Sequence, residues 1–512
     1  MKDSEGHLKL GAAAETAEER KGLLWEEGEE LYTTEDDIIP PSARSAHRRR
    51  CCIASLLIAL ILAAVLTPAL YYGLRTSRPV ADFDSQKLRS NGTHMFKKTS
   101  LIVSIDGLRA SYLDRGLTPH LVAISKKGLR AKSMRPIFPT LTFPNHWALM
   151  TGLYAESHGI VGNNFWDPAS RSEFHYNRVE SCWNSSWWYG EPMWETAERA
   201  GLITANLMWP GPPVTRTGSE PTYFLPWRNN VPMKEKHDQI MEWIDLPLEK
   251  RPQLIMAYEP SLDQAGHLTG PVSDLVNRVL GEVDQFAKDI HDSLEARNLT
   301  DIVDVVFVSD HGMTDTSHPE WLYIDDILGD GFKALEHVDG WPSMGLRFSS
   351  KVNSTFYHNV LLEAAAASDG KFDVFTHDTM PRRFHFAGNE RIAPIYVVPK
   401  VGYALTDRVE NGTGMSKGNH GYDNAETSMH AMFVAHGPFS SVIKAIQKSD
   451  NSHFFKRFLS RPNKGWHSTS NDTYIMETFQ NVEIYNLMIK LLGIESSAAP
   501  TNGTKGFWDK YF

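Results

Sequence analysis

The chain has 512 residues, 41% apolar and 22% charged, which excludes a wholly disordered polymer. Its formal charge is 52 − 62 = −10, the wrong sign for a sequence-independent grip on a nucleic-acid backbone, and sequence-specific nucleic-acid binding is not expected. Three cysteines exclude a disulfide scaffold and a zinc finger, so any metal must be held by histidine and carboxylate.

Residues 1–40 carry four Lys/Arg and twelve Asp/Glu, a net of 4 − 12 = −8. With few large apolar side chains, residues 1–50 are read as a disordered cytosolic tail. Glu19 followed by Leu23-Leu24, and the acidic run ending in Ile38-Ile39, are similar to acidic dileucine sorting signals. Arg44, Arg48, Arg49 and Arg50 abut an uncharged run, Cys51–Tyr72. At about 20 residues it is long enough to cross a bilayer core. It starts too far into the chain, and runs too long, for a cleaved signal peptide. The span is taken as residues 51–74, with a stalk over 75–98. The arginine cluster places the N-terminus in the cytosol. Cys51 and Cys52, at that edge, are either palmitoylation sites or plain membrane-helix residues. Glycosylation sequons begin at Asn91, Asn184, Asn298, Asn353, Asn411, Asn471 and Asn502, all beyond the span. The expectation is a single-pass type II glycoprotein whose larger part is extracellular or lumenal, at the cell surface or in a vacuole- or lysosome-like compartment.

Buried-strand runs follow at Thr99–Ile105, Leu202–Met208, Gln253–Tyr258, Val303–Ser309 and Ala431–His436. Helical patterning lies between them, as in 272–294, where Val276, Val279, Val283, Phe286, Ile290 and Leu294 share a face. This alternation predicts an α/β fold, a three-layer αβα sandwich around a mainly parallel sheet, preceded by one transmembrane helix. The catalytic domain is placed at 99–496, with a C-terminal tail at 497–512.

Open α/β sheets bind ligands at the carboxyl ends of their strands. There the chain places Asp106, then Asp263 with His267, then Asp310 with His311; a later glycine-flanked loop adds His420. Oxygen and imidazole donors without thiolate suit zinc in a hydrolytic site. Six such donors exceed what one tetrahedral ion needs, so two metal ions are expected. Thr142 precedes Phe143-Pro144 at the start of a predicted helix. A threonine there is an N-cap or, with a metal lowering its pKa, a nucleophile beside a phosphate site.

With these residues in place, the chain resembles the nucleotide pyrophosphatase/phosphodiesterase family of the alkaline phosphatase superfamily, in its compact fungal-type form. The resemblance rests on PTLTFPNH and TGLYAESHGIVGN (within 136–163), the Asp263-x-x-x-His267 spacing, SDHGM (309–313) and GNHGYDN (418–424). It implies a zinc-dependent ectoenzyme that releases nucleoside 5′-monophosphates from nucleotides such as ATP and their derivatives, through a threonyl intermediate. Thr142 is the implied nucleophile and a ligand of one zinc together with Asp106, Asp310 and His311. Asp263, His267 and His420 are implied to hold the second. Asn163 is implied to donate to a phosphoryl oxygen, and Phe143 and Trp227 to sandwich the base. Leu141 stands where many animal members carry lysine. In this compact form neither a cysteine-rich module before the catalytic part nor the nuclease-like domain of longer animal members is expected. Two alternatives share this core: a phospholipase C- or D-type headgroup phosphodiesterase, and a catalytically inactive surface receptor. The stretch between Trp209 and Pro232 favours nucleotides, because its aromatic-bearing loop would cover a base.

Overall fold

Strand β1 (Thr99–Ile105) is buried at every position, and its side chains alternate between two separate cores. Ile102 joins one; Leu101, Val103 and Ile105 join the other. The structure, a computed structural model, describes residues 62–64, 66, 87–412, 415–444, 466–468 and 474–511. These fall into two units, residues 1–77 and 78–512. In the first, residues 62–64 and 66 are helical. The tail 1–50, and all but those four residues of the predicted span, lie outside the described residues. Among the described residues no helix is long and apolar enough to cross a membrane.

The second unit is built on a nine-stranded sheet. Its remaining strands are β2 (Leu129–Ala131), β3 (Thr204–Leu207), β4 (Tyr223–Leu225), β5 (Leu254–Glu259), β6 (Val303–Val308), β7 (Phe433–His436), β8 (Trp466–Ser468) and β9 (Tyr474–Met476). They lie in the order β8-β9-β2-β7-β6-β1-β5-β3-β4. The central block β6-β1-β5-β3-β4 is parallel throughout. β7 runs antiparallel to both β6 and β2, so the last of the predicted strands enters the sheet from the opposite end. One face packs on α1 (Pro119–Lys127), α4 (Met233–Asp245), α5 (Ser261–Thr269) and α6 (Asp274–Ala296). The other packs on α2 (Thr142–Thr151), α3 (Met193–Arg199) and α7 (Glu483–Leu492). This is the three-layer arrangement the patterning predicts, and in α6 all six residues of the predicted face are buried.

An inserted body between β6 and β7 was not distinguished in the sequence. It has its own core around Leu346, Val374 and Val397, under a four-stranded antiparallel sheet and the helix Ser354–Ala367. Its neck is closed by Thr314–Asp315 pairing antiparallel with Gly418–Asn419.

Two segments expected at the edges of the catalytic domain pack against it. Phe96 and Lys98, at the end of the predicted stalk, are buried. In 497–512, read as a tail, Trp508 and Tyr511 join the core of α7; four aromatics in six residues are the signal that their polar neighbours hid. Of the sequons, Asn184, Asn298, Asn353, Asn411 and Asn502 are exposed. The Asn91 amide donates to the Arg297 carbonyl at 2.8 Å, and Asn471 lies outside the described residues.

Candidate active site

The adjacent parallel strands β6, β1 and β5 end side by side, and their first following residues build a cluster. Asp106 follows β1 directly. Gly107 then turns the chain with φ +68°, and a Cβ there would lie 3.0 Å from the Cα of Asp263. The Gly107 N–H donates to Asp310 Oδ1 at 3.2 Å, tying the end of β1 to the end of β6. Asp263 and His267 lie one turn apart on α5, behind β5. His420 comes from beyond the inserted body.

These six residues converge. His267 Nε2 lies 3.1 Å from His420 Nε2 and 3.4 Å from Asp263 Oδ2, and His420 Nε2 lies 3.5 Å from Asp263 Oδ1. His311 Nε2 lies 3.0 Å from Asp310 Oδ2 and 3.4 Å from Asp106 Oδ1. Thr142 Oγ1 is 3.3 Å from the same nitrogen. Metal bonds of ~2.0–2.2 Å at tetrahedral angles set neighbouring ligand atoms ~3.3–3.6 Å apart, so separations of 3.0 to 3.5 Å are near those of ligands around common ions.

Hydrogen bonding points the same way. Asp106 Oδ1, Asp263 Oδ1 and Asp310 Oδ2 are buried and accept no hydrogen bond, a costly state for carboxylates unless cations take their place as partners. Each histidine turns Nδ1 to a backbone carbonyl: His267 to Gly418 at 2.9 Å, His420 to Thr140 at 2.8 Å and His311 to Gly312 at 2.9 Å. A carbonyl only accepts, so Nδ1 carries the proton and the Nε2 lone pair faces the cluster.

Charge follows from this crowding. Burial, then repulsion from Asp310 and Asp263, pushes the Asp106 carboxyl well up. Burial raises Asp263 as well, against the pull of His267 and His311. Burial opposes ionisation of Asp310, but His311 and His146 hold it below the usual range. Burial, then His311 and His267, keeps His420 neutral far below its ordinary value. The donor set therefore fits divalent cations, whose charge would let all three carboxylates ionise.

Thr142 is the first residue of α2 and does not cap it; the N-cap is Leu141, and neither residue's side chain makes a capping bond. The loop before it is fixed by Asn145, which accepts from the Ile137 N–H and donates to the Pro139 and Leu141 carbonyls. Asn163 Oδ1 accepts the Phe143 N–H at 3.0 Å, which leaves its NH₂ group as the donor on offer. Phe143 is half-buried, edge-on to Tyr176 with centroids 5.3 Å apart. Trp227 is 44% exposed and packs on Tyr258 at 5.9 Å. The two predicted base-binding aromatics thus have different ring neighbours.

Two residues were missed. His146 is fully buried, donating from Nδ1 to the Thr142 carbonyl at 2.9 Å and accepting from Ser104 Oγ at Nε2, also at 2.9 Å. It forms a further donor trio with Asp106 and Asp310, but both of its nitrogens are already occupied, so it positions Thr142. Its four-residue spacing from Thr142 on a predicted helix was the available signal. Tyr258 donates its hydroxyl to Asp106 Oδ2; it stands at the end of a buried apolar run, where only its polar tip distinguishes it. Cys182 is free and buried, and burial pushes its thiol up to about 12, so it offers no nucleophile.

The sequence model of the family described as type I phosphodiesterase/nucleotide pyrophosphatase matches residues 100–423. A Schizosaccharomyces pombe protein described as an uncharacterized pyrophosphatase/phosphodiesterase is 36% identical over 422 residues, 81% of this chain and 80% of that protein. Human ectonucleotide pyrophosphatase/phosphodiesterase family member 1 is 34% identical over 80% of this chain, which spans only 41% of that longer relative. Among solved structures, murine ectonucleotide pyrophosphatase/phosphodiesterase 5 superposes with a TM-score of 0.68 at 29% identity, covering 81% of this chain and 98% of that one. A second structure of that mouse protein, at 0.68 and 28%, covering 81% of this chain and 100% of that one, is an inactive threonine-to-alanine variant in complex with AMP. On this match the chain belongs to the type I phosphodiesterase/nucleotide pyrophosphatase family, and is an enzyme of that hydrolase class.

Proposed function

We propose that the chain hydrolyses phosphodiester and pyrophosphate bonds of nucleotides, releasing nucleoside 5′-monophosphates, with Thr142 as nucleophile and two zinc ions as cofactors. The observation that carries this reading is the 3.3 Å approach of Thr142 Oγ1 to His311 Nε2, within a cluster that ends in unpartnered carboxylate oxygens. Asp106, Asp310, His311 and Thr142 would hold one ion, and Asp263, His267 and His420 the other. When bound, the pair would lower the pKa of the threonine hydroxyl and neutralise charge on the phosphoryl oxygens.

The Thr142 hydroxyl gives up its proton to solvent and its oxygen attacks phosphorus in line, forming a threonyl ester as the bond to the leaving oxygen breaks and that oxygen departs with the electron pair. His146 holds the Thr142 carbonyl, and hence the first turn of α2, in place during this step. Asn163 donates to a non-bridging oxygen as charge builds on it. Water then attacks phosphorus from the vacated side, freeing the monophosphate and restoring the hydroxyl. Phe143 and Trp227 would take the two faces of the base.

Residues 51–74 are proposed as a membrane anchor, and the catalytic domain beyond it, with the flanking residues that pack against it, as a glycosylated ectodomain. Product analysis with ATP tests the central reading. AMP plus pyrophosphate supports it, whereas ADP plus phosphate, or preferential cleavage of glycerophosphocholine or lysophospholipid, overturns it.

A further inference from the structure

One ion pair outside the ligand cluster is as buried as the cluster itself. Lys236 on α4 and Glu259 at the end of β5 are each 2% exposed, and Lys236 Nζ donates to Glu259 Oε2 at 2.7 Å. The same ammonium donates to the Tyr258 carbonyl at 3.1 Å, and Glu259 Oε1 accepts the Ser261 N–H that opens α5 at 2.9 Å. Burial pulls the Lys236 pKa down, and Glu259 offsets that pull. A pair taken this far out of water gains little over two apolar side chains of similar size, so stability is a poor reason for it. Geometry is a better one.

Three parts of the site meet at this pair. Tyr258, whose carbonyl it binds, hydrogen-bonds Asp106 and packs on Trp227. α5, whose first turn it fixes, carries Asp263 and His267. α4 is entered directly from the Trp227 loop, and Arg228 of that loop pairs with Glu235. Beside the pair opens a cleft of about 810 Å³, with Trp227, Lys236 and Glu259 in its walls. The buried apolar residues of α4 begin only at Ile240, and before it Lys236 is the one buried side chain of the helix, so next to the loop its directional contact sets the distance from β5.

We propose that Lys236 and Glu259 are positioning residues for substrate selection, a strut that holds the Trp227 loop at the distance from the phosphoryl site that a nucleotide base requires. This rests on the nucleotide reading above. The test compares the p-nitrophenyl ester of thymidine 5′-monophosphate with bis(p-nitrophenyl) phosphate, which has no base, on the full chain. In K236M/E259Q, which leaves no unpaired buried charge, KM for the nucleotide ester should rise about tenfold with kcat within about threefold. Kinetics on the base-free diester should stay within about twofold, and metal content should be unchanged. K236R should restore the wild-type ratio, and in a W227A background the double substitution should add nothing to KM. Should K236M/E259Q not fold, E259D, which keeps the charge but withdraws it by one methylene, should raise the same KM. Equal changes on both substrates, or no change in a folded variant, would overturn the strut and leave the nucleotide reading standing. A wild-type enzyme with no preference for the nucleotide ester would overturn both.

Discussion

Asn163 Oδ1 accepts the backbone N–H of Phe143, one residue beyond Thr142, at 3.0 Å, and the Asn163 carbonyl accepts the N–H of Tyr176, also at 3.0 Å. One amide thereby fixes the start of α2 and aims its own NH₂ group. Asn163→Ala should lower kcat by about 10²–10³-fold, the loss of one oxyanion donor. Asn163→Asp, which keeps the acceptor for Phe143 but replaces the donor with negative charge, should be at least as slow. Steady-state kinetics with a nucleotide ester, alongside thermal melts to show that α2 is intact, check both.

Thr142→Ala should reduce turnover by about 10⁴-fold or more. The other six ligand residues keep their contacts, so elemental analysis should still find most of the metal. Thr142→Ser, which keeps a hydroxyl, should retain measurable activity. A Thr142→Ala protein with near-normal rates removes Thr142 from the mechanism.

Metal removal should cost stability as well as activity. Three carboxylate oxygens without hydrogen-bond partners lie inside one cluster, so chelation leaves repulsive charge in a buried site. At free ion about 1,000 times Kd, bound metal contributes ~4 kcal/mol. A chelator should lower the thermal midpoint, and zinc should restore it together with activity.

Gly418→Ala tests the second ligand trio. A Cβ at Gly418 would come within 2.4 Å of the Gly266 carbonyl oxygen, and the Gly418 carbonyl is the partner of His267 Nδ1. Pushing α5 away from this strand displaces His267 from His420. Metal affinity should fall about 10- to 100-fold at one of the two sites, visible as roughly half the metal retained after dialysis.

His158 sets a pH dependence away from the catalytic cluster. Burial pulls its imidazole down to about 3 from an ordinary 6.5, and Nδ1 accepts the Ile160 N–H. The unfolded chain therefore binds the extra proton first. The contribution is complete above pH 6.5 and is lost as the pH falls toward 3, with a slope of up to ~1.4 kcal/mol per pH unit. His158→Asn, which keeps an acceptor but does not titrate, should flatten urea midpoints across pH 4–6.5.

The sequence was most legible where burial is two-sided. β1, β5 and β6 read as apolar runs because both faces are covered by helices, and the residue after such a run is where a carboxylate stands out. The inserted body was illegible for the opposite reason: strands such as Leu335–Asp339 alternate partly buried and exposed positions and resemble loops. The antiparallel entry of β7 follows from that body, since the chain returns from it at the same end of the sheet where β6 leaves, the end of β6 pairing with the start of β7. The sequence leaves Thr142 as either cap or nucleophile; Leu141 as the N-cap shows that the hydroxyl is not spent on the helix end. Tyr258 and Lys236 went unnoticed because their work is done by single polar atoms inside otherwise apolar or amphipathic patterns.

The neck formed by Thr314–Asp315 and Gly418–Asn419 joins two ligand-bearing segments across more than a hundred residues of chain. His311 and His420 lie on either side of it, their rings stacked 3.5 Å apart. Because the chain leaves and re-enters at one stapled point, the exposed parts of what is threaded between, such as the helix Ser354–Ala367, can vary while the two imidazoles keep their separation. The reacting centre is thereby held by coordination geometry and this ladder, while the inserted body answers to its own core and to the seat that Phe384, Phe386 and Tyr396 take in the main one.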